Sequence, residues 1–210
     1  MRIKWLGHAS FEIEAEGSII HIDPYILSGS SRKADVVLIT HDHFDHCGED
    51  ALRRVSKEGA LVISPQRAAR KIPRTTKVAS VGDVFDHKGI QIRVVPAYVP
   101  GSAYHPKGHG VGYVIDAGGK RLYHAGDTAH IPEMGLIDEV TVALLPVGGP
   151  HTMTVEEAVK AVQTLSAGIV VPMHYGHFQD SVADIHKFKR LVEASSSTRV
   201  EDLSNQELHV

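Results

Sequence analysis

Three histidines and two aspartates occupy positions 41–46 of this 210-residue chain, in the run HDHFDH. His41 and His43 are two residues apart, so in an extended segment both side chains point the same way and could hold one cation. Asp45 and His46 lie past the expected turn and could face a second cation. The spacing therefore indicates a site for two metal ions. The alternative is a polar loop in which the histidines are solvated or paired by hydrogen bonds.

The ligand types indicate which metal the site would take. Imidazole with a minority of carboxylate suits zinc best, and iron or manganese are also compatible because affinity alone does not select the metal. The chain contains 15 histidines, a clear excess for its length. This excess favours a metalloprotein, because histidine is the commonest metal ligand.

Hydrophobic patterning predicts the elements that would position this run. Residues 35–40 are apolar at adjacent positions, which is typical of a strand buried on both faces, and the histidine run follows the carboxyl end of that strand. Residues 49–58 predict a helix that ends at Gly59. Thr154 and Glu157 predict a capping box for an amphipathic helix through about Leu165, and Ser181 or a neighbour is expected to open the last helix. Further strands are predicted at 10–14, 19–23, 61–63, 78–81, 90–95, 113–116, 121–124, 142–145 and 169–171.

Composition limits the possible partners. The formal net charge is −3 with both signs scattered along the chain, so no basic footprint for nucleic acid and no polybasic tail for a membrane are expected. No apolar stretch approaches the length of a membrane span, and no targeting segment is recognisable. Cys47 is the one cysteine, which excludes an intramolecular disulfide framework and makes the cytoplasm the default location. We expect a small-molecule substrate and allow for a homo-oligomer.

Three motifs in order resemble the metallo-β-lactamase superfamily of binuclear metallohydrolases. They are His-x-His-x-Asp-His at 41–46, Gly-Asp-Thr at 126–128 and Pro-Met-His-Tyr-Gly at 172–176. The segment WLGHASF at 5–11 and Ile-Asp-Pro at 22–24 further resemble the branch that contains the L-ascorbate-6-phosphate lactonases. The resemblance covers nearly the whole chain. It implies an α/β fold, the four-layer αββα sandwich, with residues 1–210 as one domain.

The resemblance also implies a ligand set. One metal ion would be held by His41 and His43, and the other by Asp45, His46 and His174. Asp127 would bridge the two ions, and Asp45 would also orient the attacking hydroxide. His8, Asp23 and His124 would be the hydrogen-bonded supports of these ligands.

One position departs from the superfamily pattern. The third histidine of the first metal usually ends the strand before the loop, as Ala-x-His, but here the sequence Ala97-Tyr98-Val99 places a valine there. Either a coordination position stays open to water or a nearby imidazole substitutes. His105 is the best placed substitute, with His109 and His151 behind it.

The function implied is a metal-dependent, zinc-preferring hydrolase. It would cleave an ester-type bond (lactone, carboxylic ester or phosphodiester) with a metal-bound hydroxide. Lys107 is the one cation expected to hold an anionic part of the substrate, although a solvated loop lysine is the alternative. Two other functions remain open: an iron-dependent oxidoreductase on the same fold, and a non-catalytic metal- or ligand-binding protein whose first metal site is degenerate because of Val99.

Overall fold

The computed structural model describes all 210 residues, which form two seven-stranded sheets with helices on their outer faces. In chain order the elements are β1 (Arg2–Gly7), β2 (Ser10–Ala15), β3 (Ser18–Ile22), β4 (Ala34–Leu38), α1 (Glu49–Val55), β5 (Ser56–Pro65), α2 (Gln66–Ala69), β6 (Lys77–Ala79), β7 (Val84–His87), β8 (Ile90–Ala97), β9 (Gly110–Ala117), β10 (Lys120–His124), a 3₁₀ helix (Pro132–Leu136), β11 (Val142–Pro146), α3 (Val155–Leu165), β12 (Ile169–Met173), α4 (Ile185–Ser195), β13 (Arg199–Val200) and β14 (Glu207–His209).

The two sheets share one pattern of strand directions, with four parallel neighbours in each and antiparallel pairing elsewhere. The first has the strand order β14-β1-β2-β3-β4-β5-β6, and the second has the order β13-β12-β11-β10-β9-β8-β7. Strands β3 to β6 run parallel to one another, as do strands β10 to β13. The carboxyl ends of parallel neighbours lie at one edge of a sheet, so loops that follow them can meet there.

Strand β4 shows why the fold has four layers. Val36 and Leu38 belong to the apolar core between the two sheets. Val37 in β4 and Ile39 directly after it point the other way and pack with α1 and α2. Since successive side chains of a strand point to opposite faces, a continuous apolar run satisfies both layers at once. A third apolar cluster packs α3 and α4 on the second sheet, and the predicted αββα sandwich is confirmed.

Most predicted elements form, and the capping box of α3 forms between Thr154 and Glu157. The helix predicted over 49–58 is too long, because α1 ends at Val55. Ser56 ends it: the Ser56 hydroxyl donates to the Leu52 carbonyl oxygen at 2.7 Å, and Ser56 already pairs with Ala34 in β5. None of the helices combines the length and the apolar character needed to cross a membrane.

A buried carboxylate joins the loop after β3 to the first sheet. Glu12 on β2 accepts hydrogen bonds from the backbone N–H and the Nε of Arg32, both at 2.9 Å. His21 on β3 lies 3.5 Å from the same carboxylate. Burial raises the pKa of Glu12, but the hydrogen bonds from Arg32 outweigh burial and leave the pKa below its ordinary value. Glu12 therefore contributes stability while it is ionised.

We expect Glu12→Gln to lower the free energy of unfolding at pH 7 by about 2 kcal/mol, because Arg32 loses its buried partner. The folded-state pKa is depressed, so this contribution is present above the unfolded pKa of about 4.3 and is lost as the pH falls further through the folded pKa. Urea unfolding at pH 7 and below pH 4 measures the difference. Glu14→Gln is the matched control: Glu14 also pairs with Arg32, but its side chain is 42% exposed whereas that of Glu12 is buried, so its loss costs at most about 0.5 kcal/mol. An equal effect of the two variants would contradict this account of Glu12.

Candidate metal centre

The predicted metal ligands lie together at one edge of the two sheets. The loop after β4 carries His41 to His46, the turn after β10 carries Asp127, and His174 follows β12 directly. The long loop between β8 and β9 carries His105. These loops meet because they leave the carboxyl ends of β4, β8, β10 and β12 at the same edge.

Three imidazoles form the first group. The Nε2 of His41 lies 3.0 Å from the Nδ1 of His43, and the Nε2 of His105 lies 3.2 Å from that same atom. The Nδ1 of His105 lies 2.9 Å from the backbone oxygen of His151, an acceptor, so Nδ1 is the donor of that hydrogen bond and Nε2 faces the group. The structure thus brings His105, rather than Val99, beside His41 and His43.

The second group contains Asp45, His46 and His174, together with His8. The Nε2 of His8 lies 2.9 Å from the Oδ2 of Asp45. Burial is the main cause that lowers the pKa of His8 to about 4, so His8 is neutral near pH 7 and its Nε2–H donates a hydrogen bond to Asp45. Burial opposes ionisation of Asp45, but His8 and His46 together lower the pKa of Asp45 to about 2.

Asp127 lies between the two groups. Its Oδ2 is 3.8 Å from the Nε2 of His41 and 3.3 Å from that of His105, both in the first group. The same oxygen is 3.5 Å from the Nε2 of His46 and 3.0 Å from that of His174, both in the second group. One buried carboxylate oxygen thus faces four imidazole nitrogens.

The charges of the site suit cations and their ligands. Burial lowers the pKa of His41 well below its ordinary value and that of His43 to about 4, so both offer neutral lone pairs at pH 7. Burial also opposes the charged form of His46, but Asp127 and Asp23 reverse the effect and raise its pKa well above the ordinary value. The position between these two carboxylates therefore favours positive charge, which a divalent cation would supply in exchange for the proton.

Several buried polar atoms at the centre have no hydrogen-bond partner. They are the Nε2 of His46, the Oδ1 of Asp127 and both ring nitrogens of His174. Buried polar groups are rarely left unsatisfied, and an ion is one of the ordinary explanations. The donor set, imidazoles with a minority of carboxylates, suits zinc, iron or manganese. The residues present fit the metal ions that the sequence implies.

Asp23 holds the second group in place. Its Oδ2 lies 2.7 Å from the Nδ1 of His46, which directs the Nε2 of that ring toward Asp127. The backbone N–H and the hydroxyl of Thr40 donate to the two oxygens of Asp23, both at 2.7 Å. His124, the third predicted support, forms hydrogen bonds with the backbone: its Nε2 lies 3.1 Å from the Ala9 oxygen, and its Nδ1 accepts from the N–H of Gly126, directly before Asp127, at 3.2 Å.

Backbone conformation places the last ligands. Gly126, directly before Asp127, has φ +63, and a Cβ there would lie 2.8 Å from the Val111 oxygen, so the tight turn requires glycine. His174 itself has φ +60. Its carbonyl oxygen accepts a 2.6 Å hydrogen bond from the Ser181 hydroxyl. The last helix opens at a neighbour of Ser181, because Asp184 caps α4.

Sequence analysis missed a second support, at Asp42. The Nε2 of His109 lies 2.5 Å from its Oδ1, and Lys71 donates to its Oδ2 and to its backbone oxygen, both at 2.8 Å. Burial opposes ionisation of Asp42, but Lys71 and His109 lower its pKa well below the ordinary value. His109, a candidate to replace the missing histidine, thus pairs with Asp42 beside the first group. Lys71 lies in a loop far from Asp42 in the sequence, so no sequence pattern predicts that the two residues pair.

Two other predicted residues lie apart from the centre. Lys107 donates to Glu133 at 2.9 Å, and its ammonium lies 4.9 Å from the centre of the Tyr98 ring. It is not among the residues that line the cleft over the metal centre, and its contact with a substrate stays a prediction. Cys47 packs at the edge of the cluster under α1 and α2, and burial raises the pKa of its thiol to about 11.

A cleft of about 400 Å³ opens over both groups. Its lining includes His43, Asp45, His105, Asp127 and His174. A larger cavity of about 810 Å³ lies at the opposite end of β10, around the Gly118–Gly119 turn, and contains none of the predicted ligands. The smaller cleft is therefore the candidate active site.

Comparison with known proteins agrees with the class of protein that the fold and the centre define, a metallohydrolase built on an αββα sandwich. The model of the β-lactamase superfamily domain matches residues 2–174. The chain is 38% identical to a UPF0173 metal-dependent hydrolase from Methanopyrus kandleri, over 92% of both chains. It belongs to the β-lactamase superfamily, among the metal-dependent hydrolases of the UPF0173 group.

Two solved structures of relatives share the fold. One, from Parabacteroides distasonis, has 33% identity and a TM-score of 0.86, and the match covers 95% of this chain and 91% of the other. The other, the metallo hydrolase Igni18 from Ignicoccus hospitalis, has 32% identity and a TM-score of 0.81 over 100% and 98% of the two chains. The predictions of the superfamily and of a metal-dependent hydrolase are confirmed. The finer resemblance to the L-ascorbate-6-phosphate lactonases stays a prediction.

We expect Asp23→Asn to weaken metal binding about 10- to 100-fold, because the carboxylate that fixes the His46 ring is lost while the ligands stay. Competition with a chromogenic chelator measures this affinity. Asp35→Asn is the matched control: Asp35 also accepts from a backbone N–H, that of Ile19, and pairs with Lys57 away from the centre. Unchanged affinity in Asp23→Asn would show that His46 needs no carboxylate support.

Proposed function

We propose that this protein binds two divalent cations, preferentially zinc, and hydrolyses an ester-type bond. The observation that carries the proposal is the position of the Asp127 Oδ2, within 3.0–3.8 Å of imidazole nitrogens from both groups. A carboxylate shared in this way is suited to bridge two ions. His41, His43 and His105 would hold the first ion, and Asp45, His46 and His174 the second.

Cations at these two positions would lower the pKa of a water molecule and polarise the scissile carbonyl or phosphoryl oxygen. The chain's own residues would orient the reactants. Asp45 is ionised at neutral pH, and its Oδ2 is occupied by the hydrogen bond from His8. Its Oδ1 is then able to accept a proton or a hydrogen bond from the attacking water. Asp45 and Asp127 are the residues proposed to act directly in catalysis.

His105 bears on the non-catalytic alternative, which depends on a defective first site at Val99. Its Nε2 lies 3.2 Å from the Nδ1 of His43, and its ring is oriented by the His151 carbonyl oxygen. An imidazole oriented by its other nitrogen is the usual form of a histidine ligand. This arrangement supports a complete first site and favours the catalytic proposal over the binding-only one.

The metal content tests the two-ion site. Elemental mass spectrometry on protein without a histidine tag should find about two zinc or manganese ions per chain. His41→Ala and His105→Ala should each lose about one of them, because each removes an imidazole from the first group. His186→Ala, an exposed histidine on α4, should keep both. Full metal content in His105→Ala would remove His105 from the ligand set, and bound iron would direct the search to redox chemistry.

Catalysis is tested by Asp127→Ala. Turnover of generic lactones, carboxylic esters and bis(p-nitrophenyl) phosphate should fall to the uncatalysed rate, because both ions lose the shared carboxylate. Asp138→Asn is the control, since Asp138 pairs with Arg121 on the exposed surface. Full metal loading of the unaltered protein without turnover of any of these substrates would favour the non-catalytic alternative.

A further inference from the structure

Two large side chains beside the metal centre are unusually exposed. Phe44 is 68% exposed and Tyr104 is 61% exposed, and both line the 400 Å³ cleft. Phe44 stands between His43 and Asp45, and Tyr104 directly precedes His105. Chain connectivity therefore fixes both rings next to the proposed ligands. Exposed apolar side chains grouped at a cleft indicate a surface that binds something apolar.

Neighbouring rings extend both sides of this aromatic surface. The Phe44 ring lies 6.0 Å from that of Phe178 and 5.9 Å from that of Tyr25, in edge-on arrangements. The Tyr104 ring lies 4.9 Å from that of His151. These contacts restrain the rings before any ligand arrives, which lowers the entropy cost of binding an apolar group between them.

Charge in the cleft points in the same direction. No lysine or arginine is among the lining residues, whose charged members are Asp45, Asp127 and Asp180. Asp45 and Asp127 are proposed metal ligands, but Asp180 is exposed at the mouth. A groove of about 350 Å³ on the other side of Phe44 adds Glu49 and Asp50, again without a cation. An anionic group on the substrate would meet these carboxylates and no side-chain cation.

We propose that the substrate carries an uncharged apolar group, aryl or alkyl, next to the bond that is cleaved, and no phosphate or carboxylate. Phe44, Tyr104 and Phe178 would bind this group while the metal ions take the polar end. The inference rests on the proposed hydrolase function and narrows it to neutral carboxylic esters and lactones. It argues against phosphodiesters and phosphorylated lactones.

Hydroxamates test the inference by binding rather than by turnover, because they chelate divalent cations through two oxygen atoms. Isothermal titration calorimetry on zinc-loaded protein should give an affinity about tenfold higher for benzohydroxamate than for acetohydroxamate, since only the former offers a ring to the aromatic surface. A carboxylate added at the para position of benzohydroxamate should remove most of that gain. Zinc per chain is measured in every sample.

Variants assign the gain to particular rings. Phe44→Ala and Tyr104→Ala should each reduce the preference for benzohydroxamate several-fold, with acetohydroxamate affinity and zinc content unchanged. Leu136→Ala is the matched control, because Leu136 is 79% exposed but lies outside the cleft. Equal affinity for the two hydroxamates, or tighter binding of the carboxylated one, would overturn the inference alone. Failure of both hydroxamates to bind protein that holds zinc would overturn the inference alone, and protein that holds no zinc would overturn the metal site with it.

Discussion

The structure depends on one buried charge. Asp127 is only 5% exposed, and an ionised carboxylate removed from water costs several kcal/mol unless positive or hydrogen-bonding partners surround it. Burial opposes its ionisation, but His174 and His46 outweigh that effect and leave its pKa well below the ordinary value. The imidazoles around it belong to loops from both sheets, so the charge is satisfied only when the two sheets are correctly packed. Cations at the two positions would satisfy it more fully than imidazoles alone.

The apolar core between the two sheets holds the ligand-bearing loops together, although it lies away from the site itself. Twenty-six buried apolar residues form the core between the sheets, which fixes the spacing between β4 on one sheet and β10 and β12 on the other. The loops themselves are irregular, so their ligands need individual supports. Asp23 directs His46, His8 directs Asp45, and the His151 carbonyl directs His105. Each support comes from a different part of the chain from its ligand, which links folding of distant segments to the geometry of the centre.

Features that depend on neighbouring residues could be predicted from the sequence, and contacts between distant segments could not. The αββα layering was implied by the resemblance to the metallo-β-lactamase superfamily, whereas the grouping of His41 with His43 was predictable because a spacing of two has a direct geometric consequence. The capping box of α3 was predictable for the same reason. Three candidates were left open for the missing histidine, since the loop from 98 to 109 has no periodicity and its path depends on packing against distant segments. The Ser181 contact with His174 and the Lys71 contact with Asp42 are equally non-local. The helix over 49–58 was overextended because strand pairing of Ser56 overrides helical composition.

The partner of Lys107 could not be predicted from the loop in which Lys107 lies. Lys107 looked suited to an anionic substrate because it lies in a loop rich in glycine and histidine, but its partner is Glu133, on the 3₁₀ helix. Because no lysine or arginine lines the cleft, positive charge offered to a substrate there would come from bound cations. The exposed rings of Phe44 and Tyr104 are the features that would select among neutral substrates. Because each ring is adjacent in the chain to a proposed metal ligand, it would lie close to the bond that is cleaved.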